Sequence, residues 1–171
     1  PFTPNMPADC LNPYSMSKWM GEQICKLYNQ LYDVSSIVLR YFNVYGPREP
    51  VKGTYAPVVG LFKRQKKGSD PITIVGDGLQ RRDFTYISDV VDANIAAMNT
   101  PTRYGIYNVG TGKNYSMIDL VNLIDPGSTV PVNFIPPRPA EVKETLADIE
   151  CTMRDLGWFP RFKLEDKIND Y

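Results

Sequence analysis

The apolar residues of this chain recur with two different spacings, and the two spacings alternate along the sequence. Over residues 14–32 they return every three or four positions, which predicts an amphipathic helix that begins at Asn12 and Pro13. Residues 36–43 form a short and nearly continuous apolar run, which predicts a strand buried on both faces of a sheet. A helix followed at once by a buried strand is typical of α/β folds.

Later segments continue the alternation of helix and strand. In chain order the pattern predicts a helix from about Val58 to Gly68, strands at 72–75 and 84–87, a helix over 90–98 capped by Ser88 and Asp89, a strand at 106–109, a helix capped by Ser116 and Asp119 that ends near Ile124, an extended segment at 141–147, and a last helix over 149–156 closed by Gly157. The sequence contains no internal repeat, so we expect a single α/β unit or a large part of one.

Composition removes several classes of function. Acidic and basic residues balance at 19 each, without a broad basic patch, so no nucleic-acid partner is expected. Histidine is absent and the three cysteines lack metal-ligand spacing, which predicts no metal site and excludes histidine-dependent dyads. No apolar run of about 18 residues occurs, so we expect no membrane partner and a cytoplasmic protein. The remaining chemistry must use Tyr, Lys, Asp, Glu or a cofactor.

Tyr14 and Lys18 are candidates for that chemistry. They stand four residues apart at the start of the first predicted helix, so their side chains share one face. A nearby ammonium favours phenolate over phenol, which would make Tyr14 a general base. The same spacing also suits an ordinary amphipathic surface helix, and the pair alone does not separate these two interpretations.

Five segments in a fixed order carry more information than the pair. They are NPYSMSK (12–18), LRYFNVYGPR (39–48), VGDGLQRRDF (75–84), YNVGTG (107–112) and PRPAEV (137–142), the last followed by Ala147 and Asp148. Together they resemble the extended short-chain dehydrogenase/reductase family, and within it the nucleotide-sugar epimerases and dehydratases. The resemblance covers nearly the whole chain.

The resemblance implies NAD as the cofactor and assigns residues to it. Tyr14 would exchange a proton with a sugar hydroxyl, while Lys18 would hold the nicotinamide ribose and lower the pKa of Tyr14. Tyr41 and Phe42 lie where strands of the family meet the nicotinamide, so they are expected to contact the cofactor as well.

The resemblance also assigns a substrate site. Asn43 matches the asparagine that contacts the sugar or phosphate, whereas Arg82 and Arg138 match two arginines that grip the diphosphate. Arg81 is adjacent to Arg82 and should point elsewhere if the segment is extended. The remaining expected contacts are Glu141 near the ribose and, around a uracil or thymine base, Val59, Thr73 and Val75.

The family's glycine-rich phosphate turn does not occur in this sequence. The expected fold is therefore the C-terminal part of a Rossmann-type, doubly wound parallel sheet plus a smaller α/β substrate-binding lobe. Residues 1–50 would end the NAD-binding domain and residues 51–171 would form mainly the lobe, with 84–110 returning to the sheet. Such a chain is expected to be inactive by itself, and the intact protein to form a homodimer through the Tyr14 helix.

Several functions remain open within this resemblance. The favoured one is NAD-dependent epimerisation of UDP-glucose, UDP-galactose or an N-acetyl derivative at C4 through a 4-keto intermediate. A 4,6-dehydratase or decarboxylase of a dTDP-, GDP- or UDP-sugar would share almost all these motifs. A non-catalytic nucleotide-sugar-binding fragment is the alternative of a different class. Gly110 to Lys113 lacks the Walker pattern and is interpreted as a structural turn.

Overall fold

The structure is a computed structural model that describes residues 1–50, 56–138 and 141–171 of the 171-residue chain. Its elements follow the order α1 (Pro13–Tyr32), β1 (Ser36–Tyr41), β2 (Asn43–Tyr45), α2 (Val58–Lys67), β3 (Ile72–Val75), β4 (Arg81–Tyr86), α3 (Ile87–Asn99), β5 (Tyr104–Val109), β6 (Asn114–Ser116), α4 (Met117–Ile124), β7 (Val132–Ile135), α5 (Glu150–Leu156) and α6 (Leu164–Lys167). Pro139 and Ala140, which belong to the last family motif, lie outside the described residues.

The strands form three small sheets that are mainly parallel. β1 pairs with β5, and β3 pairs with β7, each in parallel. β4 lies between β2, to which it is parallel, and β6, to which it is antiparallel. The parallel pairs and the alternating order confirm the predicted α/β class.

Helices cover both faces of β1. Arg40 on this strand donates two hydrogen bonds to Glu22 of α1, at 2.7 and 2.6 Å. The neighbouring Tyr41 donates instead to Asn94 of α3, at 2.9 Å. Because successive side chains of a strand point to opposite faces, α1 and α3 lie on opposite sides of the sheet. This is the doubly wound arrangement that the resemblance implied.

The predicted strand over residues 36–43 is corrected in two respects. It divides at Phe42 into β1 and β2, which belong to different sheets. Its first part is not buried on both faces, since every residue of β1 is half-buried or exposed. In the part of the chain that the structure describes, β1 has one strand neighbour, β5, and its other edge is open.

The predicted cap of α3 is also wrong. The helix begins at Ile87 with Tyr86 as N-cap, so Ser88 and Asp89 lie inside its first turn and make no side-chain cap. Asp89 is completely buried, and its carboxylate accepts hydrogen bonds from the backbone N–H groups of Arg161 and Phe162. The acid therefore fastens the C-terminal segment to α3.

Most other elements agree with the sequence pattern. The Ser116–Asp119 capping box is present at α4, and Gly157 closes α5 with a φ of 63°. Three short elements were not predicted: β6, β7 and α6. Their lengths of three or four residues are too short for a period to be recognised. No helix among the described residues combines the length and hydropathy that crossing a bilayer requires.

Buried apolar residues form two clusters. The larger core joins α2, β3, α4 and α6, with members that include Phe62, Ile74 and Leu120. The smaller core joins α3, β5 and the segment after α5, and it contains Val90, Val109 and Trp158. The division of the chain into two domains stays a prediction, but the smaller cluster shows that Leu156 and Trp158 pack with α3 and β5.

Candidate functional site

A cavity of about 510 Å³ lies beside α2, β3 and β4. Its walls come from segments that are far apart in sequence, and six of the seven residues predicted to bind substrate line it: Asn43, Thr73, Val75, Arg82, Arg138 and Glu141. Leu61, Phe62, Met117 and Ile135 supply an apolar part of the wall. An apolar pocket with a few convergent polar groups is the usual form of a small-molecule site.

Val59 is the exception among the predicted substrate residues. Its side chain is 1% exposed and packs in the larger core, and it does not line the cavity. Val58 and Leu61, from other positions of the same helix, line the cavity instead. The helix turns the Val59 side chain toward the core, and a substrate contact from this residue stays a prediction.

The two adjacent arginines of β4 point in different directions. Arg81 donates from Nε to Asn114 Oδ1 and from Nη2 to the Asn114 carbonyl, both at 2.8 Å, outside the cavity. Arg82 lines the cavity, and its side chain is 16% exposed. The alternation of a strand thus separates the two side chains as expected, and only Arg82 faces the cavity.

The Arg82 guanidinium is held in place, but the described residues accept hydrogen bonds from only part of its N–H groups. Among the described residues its hydrogen-bond acceptor is the Arg81 carbonyl, at 2.9 Å, and a Glu141 carboxylate oxygen lies 3.7 Å from Nη2. Burial lowers the pKa of Arg82, and the charge of Glu141 opposes this shift. A guanidinium has five N–H donors, so several remain available for a ligand.

The cavity carries more positive than negative charge. Of the described residues that line it, three are arginines, Arg64, Arg82 and Arg138, and one is an acid, Glu141. A partly buried guanidinium with free donors binds phosphate oxygens in a bidentate manner. The cavity is thus suited to an anion with several oxygens.

Asn43 is positioned by the neighbouring strand. Its side-chain amide donates to the Asp83 carbonyl at 3.0 Å and to Thr145 Oγ1 at 3.5 Å. The amide oxygen has no protein partner among the described residues and can accept a hydrogen bond from a ligand. Asn43 is the first residue of β2, so the strand fixes its backbone.

Asp83 is a central residue that sequence analysis missed. Its fully buried carboxylate accepts hydrogen bonds from the N–H groups of Thr111, Gly112 and Ala147 and from the Thr111 hydroxyl. Burial raises the pKa of Asp83, and these four donors oppose the shift. A side chain on Gly110 would collide with Ala147, so the turn can approach closely only with glycine there. The segment at 110–113 is a structural turn that anchors the residues following Glu141.

Tyr14 and Lys18 lie apart from this cavity. Tyr14 is 67% exposed, and the Lys18 ammonium stands 5.3 Å from the centre of its ring. The Glu22–Arg40 ion pair fixes α1 near the carboxyl end of β1, and Tyr14 precedes Glu22 by eight residues, or about 12 Å of helix. Tyr14 therefore lies beyond the carboxyl end of β1, the end from which the chain continues to Asn43.

The predicted cofactor residues of the strand end are placed differently. The Tyr41 hydroxyl donates to Asn94 on α3, so its side chain lies on the face opposite α1. A cofactor contact beside Tyr14 would have to come from the Tyr41 main chain. Phe42 is half-buried at the step between β1 and β2, where its N–H donates to the Val109 carbonyl at 3.0 Å. A cofactor contact from either residue stays a prediction.

Comparison with known proteins identifies the family. Residues 1–110 match the sequence model of the NAD dependent epimerase/dehydratase family, and the chain belongs to that family. A protein of Methanocaldococcus jannaschii, provisionally named a UDP-glucose 4-epimerase, is 40% identical over 171 residues, which are 98% of this chain and 54% of that protein. A UDP-glucuronate 4-epimerase of Thermodesulfobacterium geofontis is 33% identical and is matched over 52% of its length. The expected family, with NAD as its cofactor, is confirmed.

Solved structures support the same assignment. The UDP-glucose 4-epimerase of Thermotoga maritima, crystallised with UDP-glucose, superposes with a TM-score of 0.92 at 32% identity, over 98% of this chain and 54% of that one. The UDP-glucuronic acid 4-epimerase of Bacillus cereus, crystallised with UDP-glucuronic acid and NAD, gives 0.87 at 31% identity, over 96% and 52%. The chain spans about half the length of the relatives that it matches.

Proposed function

We propose that this chain forms the nucleotide-sugar-binding part of an NAD-dependent UDP-hexose 4-epimerase. The observation that carries the proposal is the convergence of Asn43, Arg82, Arg138 and Glu141 on one cavity from three separate segments of the chain. The family assignment and the names of the relatives, which act on UDP-glucose or UDP-glucuronate, support the substrate class.

In this proposal the arginines bind the diphosphate. Arg82 is partly buried with free N–H donors, and Arg138 lines the same cavity, so both can donate to phosphate oxygens. Asn43 lines the same cavity, and its amide oxygen, which has no partner among the described residues, can accept a hydrogen bond from a sugar hydroxyl. Glu141 keeps its ion pair with Arg82 and can accept from a ribose hydroxyl.

Tyr14 and Lys18 are proposed as the catalytic pair. An exposed phenol with an ammonium 5.3 Å from its ring centre fits a cofactor and a sugar that lie against this open part of α1. NAD, when bound, supplies hydride transfer at C4. Tyr14 would take a proton from the C4 hydroxyl and later return it, while Lys18 would hold the ribose.

The homodimer through α1 is also proposed. This helix of 20 residues buries only Glu22, whereas its apolar side chains at Met20, Ile24, Leu27 and Leu31 are half exposed or more. An exposed apolar stripe of this length is typical of a protein interface. Sedimentation of the wild type and of Leu27→Asp tests it, since the change should produce monomers. A cytoplasmic location stays a prediction of the sequence.

Conversion of UDP-glucose to UDP-galactose in the presence of NAD tests the proposed activity. We expect this chain by itself to bind UDP-glucose without turnover, and a preparation in which the family's glycine-rich segment completes the cofactor site to interconvert the two sugars without net oxidation. Binding of UDP-glucose without turnover in that second preparation would favour the non-catalytic module, for which the exposure of Tyr14 is the relevant observation. Release of water and a stable 4-keto-6-deoxy product would indicate a dehydratase.

A further inference from the structure

One edge of β3 faces the cavity. Along this edge, only some of the backbone N–H and C=O groups have hydrogen-bond partners among the described residues. The other edge is bonded to β7, where the N–H groups of Ile72 and Gly76 donate to Pro131 and Ile135 carbonyls at 2.9 and 2.8 Å. Main-chain groups of successive residues in a strand point to opposite edges. Those of Thr73 and Val75 therefore point away from β7, and both residues line the cavity.

Two glutamine side chains occupy half of this edge. Gln65 of α2 pairs with Thr73 twice: its Oε1 accepts from the Thr73 N–H at 3.2 Å and its Nε2 donates to the Thr73 hydroxyl at 3.0 Å. Gln80 donates from Nε2 to the Val75 carbonyl at 2.8 Å. Among the described residues, the Thr73 carbonyl and the Val75 N–H have no hydrogen-bond partner. Along the strand, this edge therefore offers one free acceptor followed by one free donor.

We propose that Gln65 is a specificity-determining residue, which selects the nucleotide base by occupying the Thr73 N–H. The inference rests on the proposed function, namely that the cavity binds a UDP-sugar. Uracil offers N3–H as a donor next to O4 as an acceptor. These two groups match the Thr73 carbonyl and the Val75 N–H as a neighbouring strand would.

Cytosine has the reverse order in the same orientation, with N3 as an acceptor and the 4-amino group as a donor. It would therefore place an amino group against the Val75 N–H and lose both hydrogen bonds. If the Thr73 N–H were free, cytosine could bind one main-chain group further along the strand. Its N3 would then accept from the Thr73 N–H, and its 4-amino group would donate to the Thr73 carbonyl. Gln65 prevents this second arrangement, because its Oε1 already accepts the hydrogen bond from the Thr73 N–H.

Calorimetric titration of UDP and of CDP tests the inference, with the ratio of their dissociation constants as the readout. We expect the wild type to bind UDP more tightly by about tenfold or more. Gln65→Met keeps the length and helix propensity of the side chain but cannot bond to Thr73. The ratio should then shrink by about three- to tenfold, which is the worth of one hydrogen bond.

Two controls and one substitute variant separate base selection from folding. Gln65→Glu retains an oxygen that accepts from the Thr73 N–H and should keep the wild-type ratio. Lys67→Leu changes an exposed residue of the same helix and should also keep it. Gln65→Ala, with its own dichroism spectrum, replaces Gln65→Met if the methionine variant does not fold.

The outcomes distinguish the two proposals. An unchanged UDP-to-CDP ratio in folded Gln65→Met, with UDP still bound, would overturn the role of Gln65 and leave the proposed function intact. A wild-type protein that binds neither nucleotide would overturn the proposed function, and the base selection with it.

Discussion

The cavity and the α1 helix differ in how completely this chain builds them. The larger core forms one wall of the cavity through Phe62 and Met117, and the Arg82 side chain in this cavity is 16% exposed. α1 rests on β1 through one ion pair and buries only Glu22, so Tyr14 is 67% exposed. In the proposed function this difference separates ligand binding from proton transfer: nucleotide binding would depend on contacts within the chain, whereas catalysis would depend on what packs against α1.

The prediction with the largest expected effect concerns Tyr14, and it tests whether catalysis and nucleotide binding belong to different regions of the chain. Tyr14→Phe removes the proposed base, so in a preparation that epimerises UDP-glucose we expect kcat to fall by about 100- to 10,000-fold. UDP affinity should stay within about twofold, because Tyr14 does not line the cavity. Steady-state kinetics and calorimetry measure the two quantities. An equal loss of affinity would place Tyr14 in the binding site and contradict the separation.

The second prediction compares the same substitution in the two regions. Leu120 is 0% exposed in the larger core, and Leu31 is 62% exposed on α1. Leu120→Ala should lower the free energy of unfolding by about 2–5 kcal/mol because it leaves a cavity. Leu31→Ala should change it by less than about 1 kcal/mol at concentrations where the protein is monomeric. Chemical denaturation measures both, and similar losses would show that α1 is packed as tightly as the core.

The third prediction concerns the anchor beneath the cavity. Asp83→Asn keeps the shape of the side chain but sets an NH2 group against at least one of its four donors. We expect a loss of about 1–3 kcal/mol in the free energy of unfolding, because buried donors are left without an acceptor. Asp9→Asn, at an exposed position, is the control and should change little. Equal stability of the two variants would refute the anchoring role.

The smallest expected effect depends on pH. Burial by itself raises the pKa of Glu165, but hydrogen bonds from Lys113 and Tyr115 outweigh it and lower the pKa to about 2 from an ordinary value of 4.5. A depressed carboxyl pKa stabilises the fold above about pH 4.5, and this stabilisation is lost as the pH falls toward 2. Glu165→Gln should flatten this part of the stability curve slightly, since the side chain is 36% exposed. A parallel curve for wild type and variant would contradict the shift.

The sequence predicted best where local patterns decide the structure. The helix at residues 13–32, the capping box at Ser116 and the strand at 72–75 depend on neighbours a few positions apart. The division of the first strand at Phe42 and the loss of the Asp89 cap depend on distant contacts, with Val109 and with Arg161. No local spacing carries that information.

The prediction of the candidate site also succeeded where local sequence patterns decide the structure and failed where distant contacts decide it. The alternation of β4 predicted that only one of Arg81 and Arg82 faces the ligand, and the register of the family motif chose Arg82. The family motifs placed six residues that the fold brings to one cavity. Val59 was assigned to the cavity because a motif fixes a position in the chain but not the direction of a helical side chain. Gln65 and Asp83 were missed, since their partners Thr73, Thr111 and Ala147 lie 8 to 64 residues away.

Titration of UDP against Arg82→Ala and Arg81→Ala tests the central claim, that this cavity holds a nucleotide diphosphate, most directly. The two arginines are adjacent, equally charged and on one strand, but only Arg82 lines the cavity. Arg82→Ala should weaken UDP binding by at least tenfold, the worth of hydrogen bonds to a charged group, while Arg81→Ala should keep the wild-type affinity within about twofold. Equal weakening by both variants, or by neither, would contradict the account.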